Sequence, residues 1–252
     1  MNLSEKRLLG VKITSTPQNE LIEILASRLK KHQKTVIFTP NPEILVKAYQ
    51  NASFSKVLNK SDINIPDGVG IRLFLGTPVI KGRQFMLDVL SSMNAYRQHA
   101  FLIGGDSKTM AKCVKKLSHL YPSLAVTSIA GPMLNNQGNA DTEIDRLIQK
   151  DITDRILKER PDFLFVGFGA PKQELWINNN IEKLPVYGAM AVGGSFDYLA
   201  GTALIPPRFV NNLHLEWLWR LITQPKRLIR VFMAVIVFPI LVVKEKIFKN
   251  SL

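Results

Sequence analysis

The sequence predicts an α/β fold: a mainly parallel sheet wound with helices on both faces, followed by a shorter helical appendage. Three observations carry this expectation. Short apolar runs alternate with helical patterns from about Lys34 to Gly194. Most of the runs are apolar throughout, as strands buried on both faces require. After Gly201 no strand pattern follows, and a Trp-rich helix and an apolar tail take over. The architecture is thus a Rossmann-like, doubly wound sheet over residues 1–203 with a C-terminal helical, membrane-associating appendage over 204–252. A chain of 252 residues can bury a sizeable core, and 46% hydrophobic against 21% charged residues exclude disordered bulk.

The strands are read in order as "TVIFTP" (35–40), "DINIP" (62–66), "AFLIGG" (100–105), "LAVTSI" (124–129), "DFLFVGFG" (162–169) and "VYGAMAVGG" (186–194). Between them, Met110, Cys113, Val114, Leu117 and Leu120 recur at helical spacing, as do Ile144, Leu147, Ile148, Ile152 and Ile156; both sets are core stripes. The segment "GPMLNNQGNAD" (131–141) is a loop by its Asn and Gly content, with Asp141 placed to cap the next helix. In the appendage, "LHLEWLWRLI" is a helix and Pro225 a break.

The apolar tail "VFMAVIVFPILVV" (231–243) is 13 residues long, short of the ~20 that a helix needs to cross a bilayer. Pro239 weakens a helix late in that run. Lys226, Arg227 and Arg230 precede it and Lys244, Lys246 and Lys249 follow, so both ends seek anionic headgroups. The expected behaviour is shallow association with a membrane surface, against two competitors: a helix docked on the core and an oligomer contact. The opening "MNLSEKRLLGVKITS" lacks the apolar stretch of a secretion signal, so the expected location is cytoplasmic, peripheral on the inner membrane face.

A formal charge of +13 calls for an anionic partner. From Pro206 onward there are eight Lys or Arg against two Glu, so nearly half of the excess lies in the last fifth of the chain. No zinc-finger spacing, RNP-like motif or helix-turn-helix accompanies it, which disfavours nucleic acid. The single Cys113 allows neither an intrachain disulfide nor a cysteine-rich zinc site.

In open α/β sheets the ligand crevice lies outside the carboxyl ends of the strands. Here those ends concentrate small and polar residues: Thr39 to Glu43, Pro66-Asp67-Gly68, Gly104 to Ser107, Gly167 to Glu174 and Gly193 to Asp197. In "GFGAPKQE" the glycines either aim backbone N–H groups at an anion or simply permit close packing. The pattern is neither GxGxxG nor a P-loop, which disfavours a nicotinamide enzyme. A Gly-x-Ser-x-Gly elbow is missing, and His32, His99, His119 and His214 lack metal-ligand spacing. Asp-x-Asp is missing too, which matters for any nucleotide-sugar enzyme, because a departing diphosphate must be neutralised by a metal or by fixed protein charges. Asp67 in "NIPDGVG" is either ordinary Asp-Gly turn chemistry or a catalytic acid at a strand end.

Taken together, "TPNPE", "IPDGVGI", "LIGG", "VGFGAPKQELWI", "GGSFDYLAG" and "LEWLWRLITQPKRLIR" resemble, in order and spacing, the WecG/TagA/CpsF family of bacterial glycosyltransferases, from about Thr35 to Arg230. The resemblance implies inverting transfer of N-acetylmannosamine, its uronic acid or a related hexose from a UDP-sugar to a polyprenyl-diphosphate-linked sugar, in cell-surface polysaccharide synthesis. It implies Asp67 as general base, with holding a donor hydroxyl as the alternative role. Thr39 and Asn41 would line the donor sugar or the site floor, and Gln173 matches a site glutamine. Gly104, Gly105, Gly167 and Gly169 would hold nucleotide and diphosphate. Arg208, Arg220 and Arg227 would close over the leaving UDP, so no metal or other cofactor is expected. Glu216 and Arg220 stand at i, i+4, where a plain helix-surface pair is the other reading.

The chain departs from the family where many members read Arg-Val-x-Gly-x-Asp-Leu. It has Val79-Ile80-Lys81-Gly82-Arg83-Gln84-Phe85, in which Lys81 or Arg83 could supply the missing charge. The family's Arg-Ala-Pro appears as Arg208-Phe209-Val210. The alternative function from another class is a noncatalytic nucleotide-sugar or phospholipid-binding scaffold, and a homo-oligomer is compatible with the sequence.

Overall fold

The computed structural model describes residues 3–207, 210, 216–223, 225 and 228–249. All six expected strands are present, as β3 (Thr35–Phe38), β4 (Ile63–Asn64), β5 (His99–Gly104), β6 (Ala125–Ile129), β7 (Phe163–Gly167) and β8 (Gly188–Ala191). They form one parallel sheet in the order β4-β3-β8-β7-β5-β6. Side chains alternate between two core layers. Phe101, Ile103, Leu164, Val166 and Ala191 enter one, while Ala100, Leu102, Phe163, Phe165 and Met190 enter the other.

The first layer is covered by α2 (Pro42–Gln50), α3 (Ala52–Lys60), α7 (Glu143–Glu159) and α8 (Lys172–Asn180). The second is covered by α1 (Gln18–Lys30), α5 (Gly82–Ala95), α6 (Ser107–Leu120) and the short α9 (Ser195–Leu199). The short α4 (Val69–Leu75) follows β4 directly. β5 connects outward to β6, whereas its neighbour β7 connects back towards β8. The sheet's switch point therefore lies between β5 and β7, where Gly104 and Gly167 are register partners.

A hairpin that the apolar pattern did not announce precedes the sheet: β1 (Glu5–Leu8) and β2 (Val11–Thr14), antiparallel. Its two turn residues, Leu9 and Gly10, both have positive φ, at 49° and 77°, as a two-residue turn matched to strand twist requires. Two helical stripes are narrower than expected. Leu120, Ile144 and Leu147 are exposed because α6 and α7 run past the half-covered edge strand β6, with Met110, Cys113, Leu117, Ile152 and Ile156 making the buried contacts. The cap of α7 is Thr142, whose hydroxyl accepts from the Asp145 N–H at 3.1 Å, and not Asp141. Asp141 is held in the loop instead, accepting from the Asn135 side-chain amide at 2.8 Å.

Beyond the core come α10 (Glu216–Thr223), α11 (Leu228–Phe232), a π-helical turn (Met233–Val237) and α12 (Phe238–Lys249). The run continues through Pro239, contrary to the expected weakening. The π turn lies immediately before it, with the Phe238 N–H donating to the Met233 carbonyl, and this wider turn relieves the ladder that proline interrupts. Among the described residues no helix is long and apolar enough to cross a membrane. One face of the tail is core: Phe238 and Val242 are fully buried, and Phe238 meets Phe74 edge-on with ring centroids 5.7 Å apart. The Leu9 N–H donates to Glu245 Oε2 at 2.9 Å, so the hairpin turn and α12 are joined. Ile236, Ile240, Val243 and Ile247 remain exposed on the other side of the tail.

Candidate active site

A cleft of about 910 Å³ opens between α4 and the tail. Asp67 lines it half-buried, its N–H fixed to the Pro40 carbonyl at 3.0 Å. Gly68 then turns the chain into α4 with φ 112°, a value that side chains rarely adopt. Gly82 opens α5 against the same carboxylate. A Cβ there would lie 3.1 Å from Thr39 Cγ2, a tight contact, and 3.4 Å from Asp67 Oδ2, so the positive end of the α5 dipole stands beside Asp67. Thr39 is buried beside Gly82, outside the cleft lining, with its hydroxyl donating to the Ala191 carbonyl at 3.3 Å. Asn41 lines the cleft and also caps α2, its side-chain oxygen accepting from the Ile44 N–H at 2.9 Å.

Beside them sits a charged network that the sequence did not expose. Glu43, in the first turn of α2, is almost fully buried and meets Arg230 Nε and Lys47 Nζ, each at 2.7 Å. Burial pushes its carboxyl up, but the Lys47 hydrogen bond and the Arg230 and Lys47 charges outweigh this and hold it below the usual carboxylate range. Lys47 also donates to the Ala170 carbonyl at 3.1 Å, tying α2 to the turn after β7. Arg230, expected to seek headgroups, instead fastens the tail to α2 at the cleft wall.

The glycine turns form a separate group, outside the cleft lining. A Cβ on Gly104 would fall 2.6 Å from the Gly167 carbonyl oxygen, so at this pair the close-packing reading holds. Gln173 is buried beneath the turns, accepting from the N–H groups of Gly169 at 3.2 Å and Gly193 at 3.0 Å. Those N–H groups are thereby directed at a side chain of the protein itself. Gln173 donates in turn to Glu174 Oε1 at 2.8 Å. Glu174 is fully buried, and burial pushes its carboxyl up to about 7. The α6 N-terminus beside Gly105 likewise carries a protein carboxylate: Asp106 accepts from the Thr109 N–H at 2.9 Å.

Against known protein families, residues 6–252 match the model described as the glycosyl transferase WecG/TagA/CpsF family. The chain belongs to this family. Three relatives carry the name N-acetylglucosaminyldiphosphoundecaprenol N-acetyl-beta-D-mannosaminyltransferase. The one from Bacillus subtilis (strain 168) is 29% identical over 86% of this chain and 84% of its own. That from Bacillus spizizenii is 28% identical over 79% and 75%, and that from Staphylococcus aureus 26% over 98% and 96%. The chain is a glycosyltransferase of the hexosyl-transferring kind, and the scaffold alternative is set aside.

Within this transferase, Arg208 and Arg227 lie outside the described residues, and Arg220 is described only as a backbone position in α10. At the departure from the family pattern, the two candidate cations separate. Lys81 lines the cleft, whereas Arg83 stacks over the Tyr198 ring at 4.7 Å. Glu43 and Arg230 were each visible in the sequence, one as an acid at a helix start and one as a tail cation. Their pairing across 187 positions was not.

Proposed function

We propose that this transferase moves N-acetylmannosamine, or a closely related hexose, from a UDP-sugar to a polyprenyl-diphosphate-linked sugar during cell-surface polysaccharide synthesis, on the inner face of the cell membrane. The observation that carries the reading is Asp67 at the carboxyl edge of the sheet, on the wall of an open cleft that also holds Asn41, Lys81 and Arg230. The acceptor hydroxyl oxygen attacks the anomeric carbon, the bond from that carbon to the diphosphate oxygen breaks, and UDP leaves. Asp67 takes the hydroxyl proton, and attack opposite the leaving group inverts the anomeric centre. Arg208, Arg220 and Arg227 neutralise the departing diphosphate in the role that a metal plays elsewhere. The nucleotide lies along the turns at Gly104–Gly105 and Gly167–Gly169, where Gly169 leaves open space above its Cα. Gln173 acts from below by holding two of those turns in place.

The test is a screen of UDP-sugars against N-acetylglucosamine linked through diphosphate to a short prenyl chain, read by product mass with and without EDTA. The expected product is the acceptor plus one N-acetylhexosamine, formed equally in both conditions. No product from any UDP-hexose overturns the donor and acceptor assignment. Loss of turnover under EDTA with recovery in Mg²⁺ overturns the metal-free account.

A further inference from the structure

We infer that the outer half of the cleft is a groove for the first isoprene units of the acceptor's polyprenyl chain, an assignment that rests on the acceptor proposed above. The groove has two walls, apolar except for Arg72 on the α4 side. Val69 and Leu73 stand one helical turn apart on α4, and Val231, Val235 and Pro239 follow at intervals of four along the tail. Between them Phe74 and Phe238 meet edge-on. The walls run in the same direction. Arg230 is held at the Glu43 end, Phe238 lies beside Gly70 and Phe74, and Lys246 reaches the Phe74 carbonyl at 3.3 Å, near the end of α4.

The order of chemistry along those walls selects the occupant. At one end are Asp67, Lys81 and Arg230; next come Val69, Leu73, Val231 and Val235, with Phe74, Phe238 and Pro239 beyond them. A carboxylate, then cations, then hydrocarbon is the sequence that a prenyl-diphosphate sugar presents from its reacting hydroxyl outward. A UDP-sugar has no part that fits the hydrocarbon walls. Leu73 is 75% exposed although it faces apolar neighbours across the groove, so a large apolar surface stands uncovered beside the charged end. The names of three relatives open on an N-acetylglucosaminyl-diphosphoundecaprenol acceptor, which supplies both a diphosphate and such a chain.

The test compares ethyl diphosphate with farnesyl diphosphate by calorimetry on the full chain, in buffer free of lipid and detergent. Farnesyl diphosphate is expected to bind at least about 10-fold more tightly, through its added buried carbons. Leu73→Asp should bring that ratio close to one, and because Leu73 is exposed the variant should fold. Leu147→Asp, an exposed leucine on α7 away from the cleft, should keep the ratio. A ratio near one in the unsubstituted protein, or a ratio unaltered by Leu73→Asp, overturns the groove. If sedimentation also shows self-association in that case, a second copy covers this face instead. The transfer screen separates the two readings. Transfer without farnesyl preference removes the groove and leaves the function, whereas preference without transfer keeps a prenyl-diphosphate site and removes the function.

Discussion

Two parts of the carboxyl edge look alike in sequence and differ in construction. The turns after β5, β7 and β8 are rich in glycine; Gly104 packs against Gly167 and Gln173 holds the Gly169 and Gly193 N–H groups, so they form a base closed from below and open above Gly169. The cleft beside β3 and β4 has fewer glycines, and it is there that Asp67, Lys81 and Arg230 face open volume. Glycine at a strand end thus marks where backbones must approach. The cleft is instead marked by charged side chains that line open volume.

The largest effect expected from this contrast is on catalysis. Asp67→Asn should lower turnover by about 100- to 10,000-fold with folding unchanged, the scale of a lost general base. Steady-state rates beside a thermal melt would show it, and near-normal turnover would return Asp67 to turn chemistry.

Next comes the closed base. Gly104→Ala should destabilise by about 3 kcal/mol, since it adds a backbone collision to a φ of 138°. Gly169→Ala, with φ 77° and nothing within 4 Å of the added carbon, should cost only about 1 kcal/mol. Equal losses in denaturant titrations would dissolve the distinction between packed and open glycines.

Glu174 gives the closed base a pH signature. Its carboxyl is raised from 4.5 to about 7 in the fold, so its contribution is fully favourable below about 4.5 and is lost as pH rises through about 7. Glu174→Gln should therefore gain on the order of 3 kcal/mol at pH 8 and little at pH 5. Denaturation midpoints at the two pH values decide it, and a variant that tracks the parent at both would show that Glu174 is not held in the neutral form.

The smallest effect concerns the open side. Arg230→Ala should cost about 1 kcal/mol of overall stability, because its guanidinium is partly exposed. It should nonetheless speed proteolytic cutting within residues 228–249. Unchanged cutting would show that apolar packing alone holds the tail.

The four inner strands were legible because strands covered on both faces are apolar almost from end to end. The β1–β2 hairpin was not, since its strands are four residues long with lysine and arginine on the outer face, and its turn is Leu9-Gly10 and not Asn-Gly. Ile144 and Leu147 have the spacing of a stripe, but they fall where α7 has no strand left to cover. In the site, Asp67 stood out because a carboxylate beside Pro and Gly at a strand end is local information. Glu43 with Arg230 is non-local, and Gln173, though visible in its motif, gave no sign in sequence that it would be buried beneath the turns. The tail's apolar run was legible as such; only packing shows that Phe238 and Val242 belong to the core while Ile236 and Ile240 do not.

The bond from the Leu9 N–H to Glu245 joins a segment made early in synthesis to one made late, across 236 positions. The sheet's last strand ends at Ala191, whereas the second wall of the cleft starts near Arg230. During translation, Asp67 therefore emerges and enters its strand-end turn well before the wall that faces it exists. A nascent chain carries Asp67 before the enclosure can form, and the cleft is complete only once α12 has docked on the hairpin made at the other end of the chain.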